Sequence, residues 1–204
     1  MDIVSSMKEV APNVNQRIAG RVRELRAARG LSLDALERKS DVSRSMISLV
    51  ERGESSPTAV VLEKLAAGLG VTLGSLFEAS STSPRRAGPV ARRADQVEWR
   101  DPASGYVRRN VSPEGVPQPM RIVEVNFPAG ARVAFESGSR DVRVCQQVWL
   151  LEGTMDITVG EERHRLERGD CLAMQLDRPT LFHNRSRKPA RYAVVLVSEL
   201  AASR

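Results

Sequence analysis

The stretch from residue 43 to residue 53, SRSMISLVERG, carries the side chains of this sequence that are best suited to contact a partner. In a helix its apolar residues would lie on one face and its polar residues on the other. Ser43 is a favoured residue for a helix start, and Gly53 is favoured where a helix ends in a left-handed turn. The outward face holds Arg44, Ser45, Ser48, Leu49 and Arg52. Arginine can donate two hydrogen bonds to guanine and serine can serve several bases, so this face suits duplex DNA.

The charge distribution agrees with an anionic partner. The chain of 204 residues has a net charge of +6 and a pI near 10.0. Nine Lys or Arg against five Asp or Glu fall between residues 15 and 53, which leaves +4 on that segment. Most of the excess positive charge therefore lies on a short part of the chain, around the proposed contact helix.

Five short helices are predicted between residues 15 and 79, which form a compact all-α domain. Apolar residues recur at spacings of three and four, and Gly30 and Gly70 follow two of the helices as stop signals. The residues expected to point inward are Ile18, Val22, Leu25, Leu33, Leu36, Val42, Ile47, Val50, Leu62, Leu65, Ala66, Leu69, Leu73, Leu76 and Phe77.

The rest of the chain has a different pattern. Residues 1–14 show no periodicity and are predicted to be a flexible tail, and residues 80–97 are rich in Ser, Pro and Arg, as in a linker. Residues 98–204 contain nine short segments rich in β-branched and aromatic residues, separated by turn signals. This pattern predicts a second domain that is an antiparallel sandwich or small barrel.

The helical segment resembles a known family. LSLDALERKSDVSRSMISLVERGESSPTAVVLEKLAAGLGVTLGSLF is similar to the helix-turn-helix of the Xre (phage repressor and Cro-like) family, with its S-x-x-x-I-S-x-x-E-x-G followed by P-T. The resemblance implies a lambda-repressor-like five-helix domain in a dimeric, sequence-specific DNA-binding protein. Two helices joined by a tight turn are also the arrangement that places a helix in the major groove.

The resemblance and the helix faces together assign roles in DNA binding. Bases are expected to meet Arg44, Ser45, Ser48 and Leu49, with Leu49 against a thymine methyl group. Phosphates are expected to meet Ser43, Arg52, Gln16 and Arg17, and Ser32 at the start of the second helix completes the set.

One residue near the motif is assigned to structure, and two others depart from the family's pattern. Glu51 is expected to hold the loop after the contact helix. Glu37 stands where the family usually has Ala, between the two helices, and a buried carboxylate there would be costly unless the side chain extends outward to solvent. Asp41 stands where Gly is usual and can adopt the left-handed conformation.

The second domain resembles the cupin barrel of the jelly-roll type, in particular the cupin_2-like sensor domains that follow Xre helix-turn-helix domains. The matching pieces are FPAGARV, QQVWLLEG, GDCLAM, PTLFHN and ARYAVVLV. Residues 98–118 are expected to add strands to one edge.

The metal site of many cupins is not reproduced. The family's ligands are two His and a Glu from the first motif and one His from the second. Gln146 stands at the Glu position and Thr180 at the second His position, while Asn184 keeps the family's Asn. An amide and a hydroxyl do not replace a carboxylate and an imidazole, so no metal and no cofactor are predicted. His164 and His183, the two histidines of the chain, are interpreted as strand or surface residues.

A small-molecule pocket is predicted in place of the metal site. Alternation along the strands places a set of side chains on the inward face, where they either line an effector pocket or fill the core. These are Phe135, Gln146, Met174, Thr180, Phe182 and Asn184.

The cysteines and the apolar runs of the sequence further limit the type of protein that it can encode. Cys145 and Cys171 form no CxxC or Cys/His cluster and are predicted to be small buried hydrophobes, with a redox pair as the alternative. The sequence has no apolar run of about 18 residues and no leader pattern, so a soluble cytoplasmic protein is predicted.

The leading hypothesis is a transcriptional regulator, and not an enzyme, that binds operator DNA as a homodimer and senses a metabolite of unknown identity in its cupin domain. One alternative keeps DNA binding but makes the cupin domain a dimerisation scaffold. The other is a metal-dependent cupin enzyme with an attached DNA-binding domain.

Overall fold

A computed structural model gives the structure of the protein and describes residues 14–78, 88–116, 119–136 and 142–200. The predicted flexible tail, except Val14, and residues 80–87 of the predicted linker lie outside the described residues.

Four α-helices form most of the N-terminal domain: α1 Val14–Ala28, α2 Leu33–Ser40, α3 Arg44–Arg52 and α4 Ala59–Gly68. The fifth predicted helix, Leu73–Phe77, is a 3₁₀ helix of five residues, a form that proteins use in short pieces. Leu76 and Phe77 are buried as expected. Leu73 was expected to point inward but is partly exposed, because it lines a cleft between the two domains. None of the helices in the described residues is long and apolar enough to cross a membrane.

The core of the helical domain is made by the apolar faces that the sequence indicates. Ile18, Val22, Leu36, Ile47 and Leu62 are each at most 1% exposed. These side chains come from all four α-helices, so removing any of them would leave a cavity at the centre of the domain.

Ten strands follow. Their bounds are β1 Glu98–Arg100, β2 Val107–Asn110, β3 Met120–Phe127, β4 Arg132–Phe135, β5 Val142–Glu152, β6 Thr154–Val159, β7 Glu162–Glu167, β8 Cys171–Gln175, β9 Thr180–His183 and β10 Ala190–Leu200. The nine predicted segments are all strands, and β7 is the strand that the sequence pattern missed. Five of its six residues are charged or His, and Leu166 alone is buried, so it shows no apolar face.

The strands form two antiparallel sheets. One has the order β1-β2-β3-β10-β5-β8 and the other β4-β9-β6-β7. Without β1 and β2, which extend one edge as expected from residues 98–118, each sheet has four strands. Successive strands alternate between the two sheets except in the hairpin β6–β7, as in a jelly roll. Among the described residues no ladder joins the two sheets, so the domain is a sandwich of facing sheets. The predicted combination of an N-terminal helical domain with a C-terminal antiparallel jelly roll is confirmed.

The two domains are in contact. Phe77 of the 3₁₀ helix packs against Trp99 of β1, with ring centroids 5.5 Å apart. Trp99 is 3% exposed and Phe77 is 1% exposed, so this contact is a buried extension of both cores.

Candidate nucleic-acid interface and interdomain cavity

Helix α3 is capped at both ends as its sequence indicates. The hydroxyl of Ser43 accepts a hydrogen bond from the backbone N–H of Met46 at 3.3 Å. Gly53 ends the helix in the left-handed region, with φ of 69°. A side chain at Gly53 would also collide with Gln16, because a Cβ there would lie 2.6 Å from Gln16 Nε2.

Glu37 supports the start of α3. Its Oε1 accepts a hydrogen bond from the backbone N–H of Arg44 at 3.0 Å, and the residue is only half-buried. A carboxylate is favourable at a helix N-terminus because it meets unsatisfied N–H groups and the positive end of the dipole. The cost of a buried charge does not arise at this position, because the Glu37 carboxylate reaches the start of α3 and stays half-buried.

The turn between α2 and α3 is held from two sides. Asp41 adopts a φ of 54°, the left-handed conformation that its sequence position requires. Its carboxylate accepts a hydrogen bond from Lys64 Nζ at 2.9 Å, and Lys64 also pairs with Glu136 of the β domain at 3.1 Å. The turn is thus connected through one lysine to the end of strand β4.

The outward face of α3 presents the side chains assigned to bases. The Arg44 side chain is 63% exposed and lies 3.2 Å from Asp34, and Ser45 is exposed. Ser48 and Leu49, one turn further, are half-buried. Arg52 pairs with Glu54 at 2.8 Å and also donates a hydrogen bond to Ser48. The two arginines lie at the two ends of the helix.

The residues assigned to phosphates are distributed around α3. Ser32 caps α2 by accepting a hydrogen bond from Ala35 N at 3.1 Å, and Gln16 is exposed on α1 beside Gly53. Arg17 is directed to the domain interface, where it bonds the carbonyl of Phe77 at 3.2 Å and pairs with Glu114. DNA contact by these residues stays a prediction.

Glu51 is a structural residue. Its two carboxylate oxygens accept hydrogen bonds from Arg26 at 2.6 and 2.8 Å, and Glu51 is 6% exposed. Arg26 also donates to the carbonyl of Leu31 at 2.8 Å, and the ion pair raises the pKa of the guanidinium. Glu51 was expected to hold the loop after α3; it ties α3 to α1 instead.

Two adjoining clefts lie where the helical domain meets the jelly roll. The cavity volume is about 80 Å³ in the inner cleft and about 160 Å³ in the outer cleft, and each is partly open to solvent. They share Thr72, Gly74, Arg108 and Leu196. Because Thr72 and Gly74 come from the helical domain, a molecule bound at this position would contact both domains.

The inner cleft contains most of the predicted effector pocket. Phe135, Gln146, Thr180 and Phe182 line it. Met174 lies behind this wall, where its sulfur accepts a hydrogen bond from Gln146 Nε2 at 3.2 Å.

Asn184 was assigned to the pocket but is not among the lining residues. It is fully buried, and its amide donates to the carbonyls of Phe127, Pro128 and Lys188 at 3.3, 3.1 and 2.8 Å. These bonds fix the loops at the end of the sandwich, which explains why the amide is turned away from the cavity.

Sequence reasoning missed the residues that join the cavity to the helical domain. An uninterrupted series of aromatic contacts, with ring centroids 5.5 to 6.3 Å apart, runs from the interface into the inner cleft. Its members in order are Phe77, Trp99, Tyr106, Phe127, Tyr192, Phe182 and Phe135. Trp99 and Tyr106 lie in segments that were interpreted only as edge additions, and no local pattern reveals that Trp99 meets Phe77 and that Tyr106 meets Trp99.

Two positions at which the cupin resemblance would place metal ligands hold an amide and a hydroxyl, which are poor donors for a metal ion. Gln146 and Thr180 lie in one cavity, and the described residues contain no group of three or more His, Cys, Asp or Glu side chains that could bind a metal ion. His183, on the outward side of β9, is half-buried. Burial and the nearby Arg185 and Arg132 lower the pKa of its imidazole.

The cysteines are a correction to the sequence analysis. Cys145 and Cys171 are both exposed, not buried. They lie on the outer face of the larger sheet, because the alternation that turns Gln146 and Val148 inward turns Cys145 outward.

Comparisons with known proteins agree with this geometry. A helix-turn-helix family model matches residues 22–76. The HTH-type transcriptional regulator SutR of Escherichia coli (strain K12) is 26% identical over 172 residues, which are 84% of this chain and 89% of SutR. Control protein C.MunI of a Mycoplasma species is 33% identical over 66 residues, which are 32% of this chain and 89% of that protein.

The same architecture occurs in a solved structure. The crystal structure of an HTH_3 family transcriptional regulator from Vibrio cholerae superposes with a TM-score of 0.72, at 24% identity, over 90% of this chain and 96% of that chain. The fold is thus shared across both domains. This chain belongs to the helix-turn-helix (HTH_3) family of DNA-binding transcriptional regulators, and its second domain is an antiparallel jelly roll.

Proposed function

We propose that the protein is a one-component regulator in which a metabolite bound between the domains changes operator affinity, and that it has no enzymatic activity. The observation that carries the proposal is the shared cleft, lined by Thr72 and Gly74 of the helical domain and by the aromatic residues of the jelly roll. A ligand can shift a conformational equilibrium only if it contacts the two states differently. A cleft that includes both domains meets this condition.

The helical domain is proposed to bind the operator through α3, in the cytoplasm and as a homodimer. Support comes from the exposed Arg44 and Ser45 at the start of the helix and from the capping of that helix by Ser43 and Glu37. Two copies would read half-sites about 34 to 36 Å apart, or a multiple of that spacing.

Selection of genomic fragments by the full-length protein tests this proposal. We expect enrichment of fragments with inverted half-sites, binding that weakens steeply with salt, and a dimeric mass by light scattering. Equal recovery of all fragments would contradict sequence-specific binding.

The two rival functions are separated by other measurements. A pure scaffold would gain no thermal stability from any metabolite, whereas a ligand that binds only the folded state raises the unfolding midpoint. A metal-dependent enzyme would contain iron, manganese, nickel or zinc near one per chain by elemental analysis. We expect a substoichiometric metal content because Gln146 and Thr180 occupy the ligand positions.

A further inference from the structure

Arg108 is a buried cation, and part of its guanidinium lacks hydrogen-bond partners. It lies on β2, is 7% exposed, and its Nε and Nη2 have no hydrogen-bond partner among the described residues. Its guanidinium lies over the ring of Phe77, 5.4 Å from the centroid. A cation–π contact offsets part of the loss of water but satisfies none of these N–H groups. Burial also lowers the pKa of the guanidinium, although arginine keeps its charge at neutral pH.

Its position places it at the junction of the two clefts. Arg108 lines both, and a Cβ added to Gly74 would lie 3.0 Å from Nη2. The guanidinium therefore packs closely against Gly74, and a side chain at that position would have to displace it. Leaving a buried N–H without an acceptor is costly, and more so when the group is charged, so an acceptor that reaches it from the cleft would bind favourably.

The other charged groups around the outer cleft already have partners. Glu114 pairs with Arg17, and Glu78 lies 3.4 Å from Arg21 and 3.5 Å from Arg121. No carboxylate of the described residues forms an ion pair with Arg108, so no counter-ion from this part of the chain offsets its positive charge.

The residues that line the inner cleft indicate the chemistry of the part of the ligand that does not contact Arg108. Beside Arg108 it offers Tyr106, Phe127 and Tyr192, which suit an apolar body. Glu63, a buried residue of α4, lines the same cleft. One carboxylate in the same space as one guanidinium disfavours a ligand with several negative charges.

We propose that the interdomain cleft binds a small organic monoanion, whose oxyanion is held by Arg108 and whose apolar body lies among the aromatic residues of the inner cleft. A carboxylate matches the fork of a guanidinium with two parallel hydrogen bonds. The inference deepens the proposed regulatory function by naming the chemical class of the effector. It also makes Gly74 and Phe77 the parts of the helical domain nearest to the bound charge.

Thermal unfolding of the full-length protein tests the site with pentanoate, pentanamide, pentylamine and sulfate at constant ionic strength. We expect pentanoate to raise the midpoint more than its neutral and cationic analogues and more than sulfate. Calorimetric titration should show pentanoate binding about 10- to 100-fold more weakly to Arg108→Met, the loss expected for hydrogen bonds to a charged group. Arg132→Met, which removes an exposed arginine on β4, is the matched control and should bind pentanoate as the wild type does.

The unliganded variants give a second readout. Arg108→Met should raise the unfolding midpoint, because it removes an unsatisfied buried charge at similar volume. Arg108→Lys keeps the charge but not the fork, and should fold and lose most of the pentanoate response.

Each other outcome contradicts the inference. Equal protection by pentanamide would mean a neutral ligand, stronger protection by sulfate would mean a polyanion site, and no protection by pentanoate would remove the site. A lower midpoint for Arg108→Met with unchanged pentanoate binding would make Arg108 a structural residue. These results do not involve DNA, so operator binding can succeed where the anion site fails.

Discussion

Asp101 of the β domain caps a helix of the other domain: its Oδ1 accepts a hydrogen bond from the backbone N–H of Ala59, 2.9 Å away, at the first residue of α4. Both residues are at most 2% exposed. The other oxygen of Asp101 is held by the backbone and hydroxyl of Ser104, at 2.8 and 2.5 Å. The helix dipole and the buried N–H therefore make the fold of α4 depend on the position of the β domain.

Replacing Asp101 with Ala should destabilise the protein by about 2 kcal/mol, because the buried N–H of Ala59 would lose its acceptor. Urea unfolding should show this loss, with Trp99 fluorescence in a Trp149→Phe background reporting on the interface. Thr58→Ala is the matched control, since Thr58 caps the same helix locally through Val61 N at 3.3 Å. If the two variants lose equal stability and Trp99 responds alike in both, the interdomain bond has no separate role.

Replacing Glu51 with Ala should cost about 3 kcal/mol of unfolding free energy. The variant leaves Arg26 without its carboxylate in a site where the arginine side chain is 19% exposed, which places the cost at the low end for a broken buried pair. Glu54→Ala removes the exposed partner of Arg52 and should change stability by less than about 1 kcal/mol. Chemical denaturation of both variants measures the difference, and similar losses would argue against the buried pair.

The helix-turn-helix was predictable from sequence because its determinants are local. Ser43, Gly53 and the alternation of apolar and polar residues between them all lie within one short stretch, and each acts on its own helix. The effect of Glu37 was not predictable in the same way. Its distance to the N–H of Arg44 depends on the turn geometry at Asp41, which sequence spacing does not give.

Only part of the cavity lining was predictable from sequence, because the rest depends on contacts between distant segments of the chain. Strand alternation places Gln146, Thr180 and Phe182 on inward faces, since a period of two needs no knowledge of neighbouring strands. The same alternation, applied to Cys145, indicates an outward side chain and could have prevented that error. Burial of Arg108 depends on Phe77, a residue of the other domain, so only long-range packing reveals it.

Stability should fall as the pH falls through the range in which His183 titrates. Its pKa is lowered in the folded protein, first by burial and then by Arg185, Arg132 and Arg163, with Asp156 opposing. The neutral imidazole is therefore favoured in the folded state, so its contribution is present above the unfolded pKa of about 6.5 and is lost below it. Between about pH 7 and pH 5 the unfolding midpoint of the wild type should therefore fall more steeply than that of His183→Gln.

The comparison needs a second histidine as its control. His164 lies on a different strand, β7, and His164→Gln is the matched control, which should keep the wild-type pH dependence. An unchanged slope in His183→Gln would show that another group controls acid stability.

Replacing Arg44 with Ala should relax the sequence preference at one base pair at a cost of about 1 to 3 kcal/mol in operator binding. The exposed pair with Asp34 contributes little to stability, so the fold should survive and the loss can be assigned to DNA contact. Competition binding with single-base-pair operator variants measures the preference, and Arg132→Ala controls for the loss of one positive charge. Base readout predicts that Arg44→Ala no longer distinguishes bases at one position while it still distinguishes them at the others. A phosphate contact instead predicts equal weakening on every sequence and a smaller salt slope, because removing it changes counterion release and not base recognition.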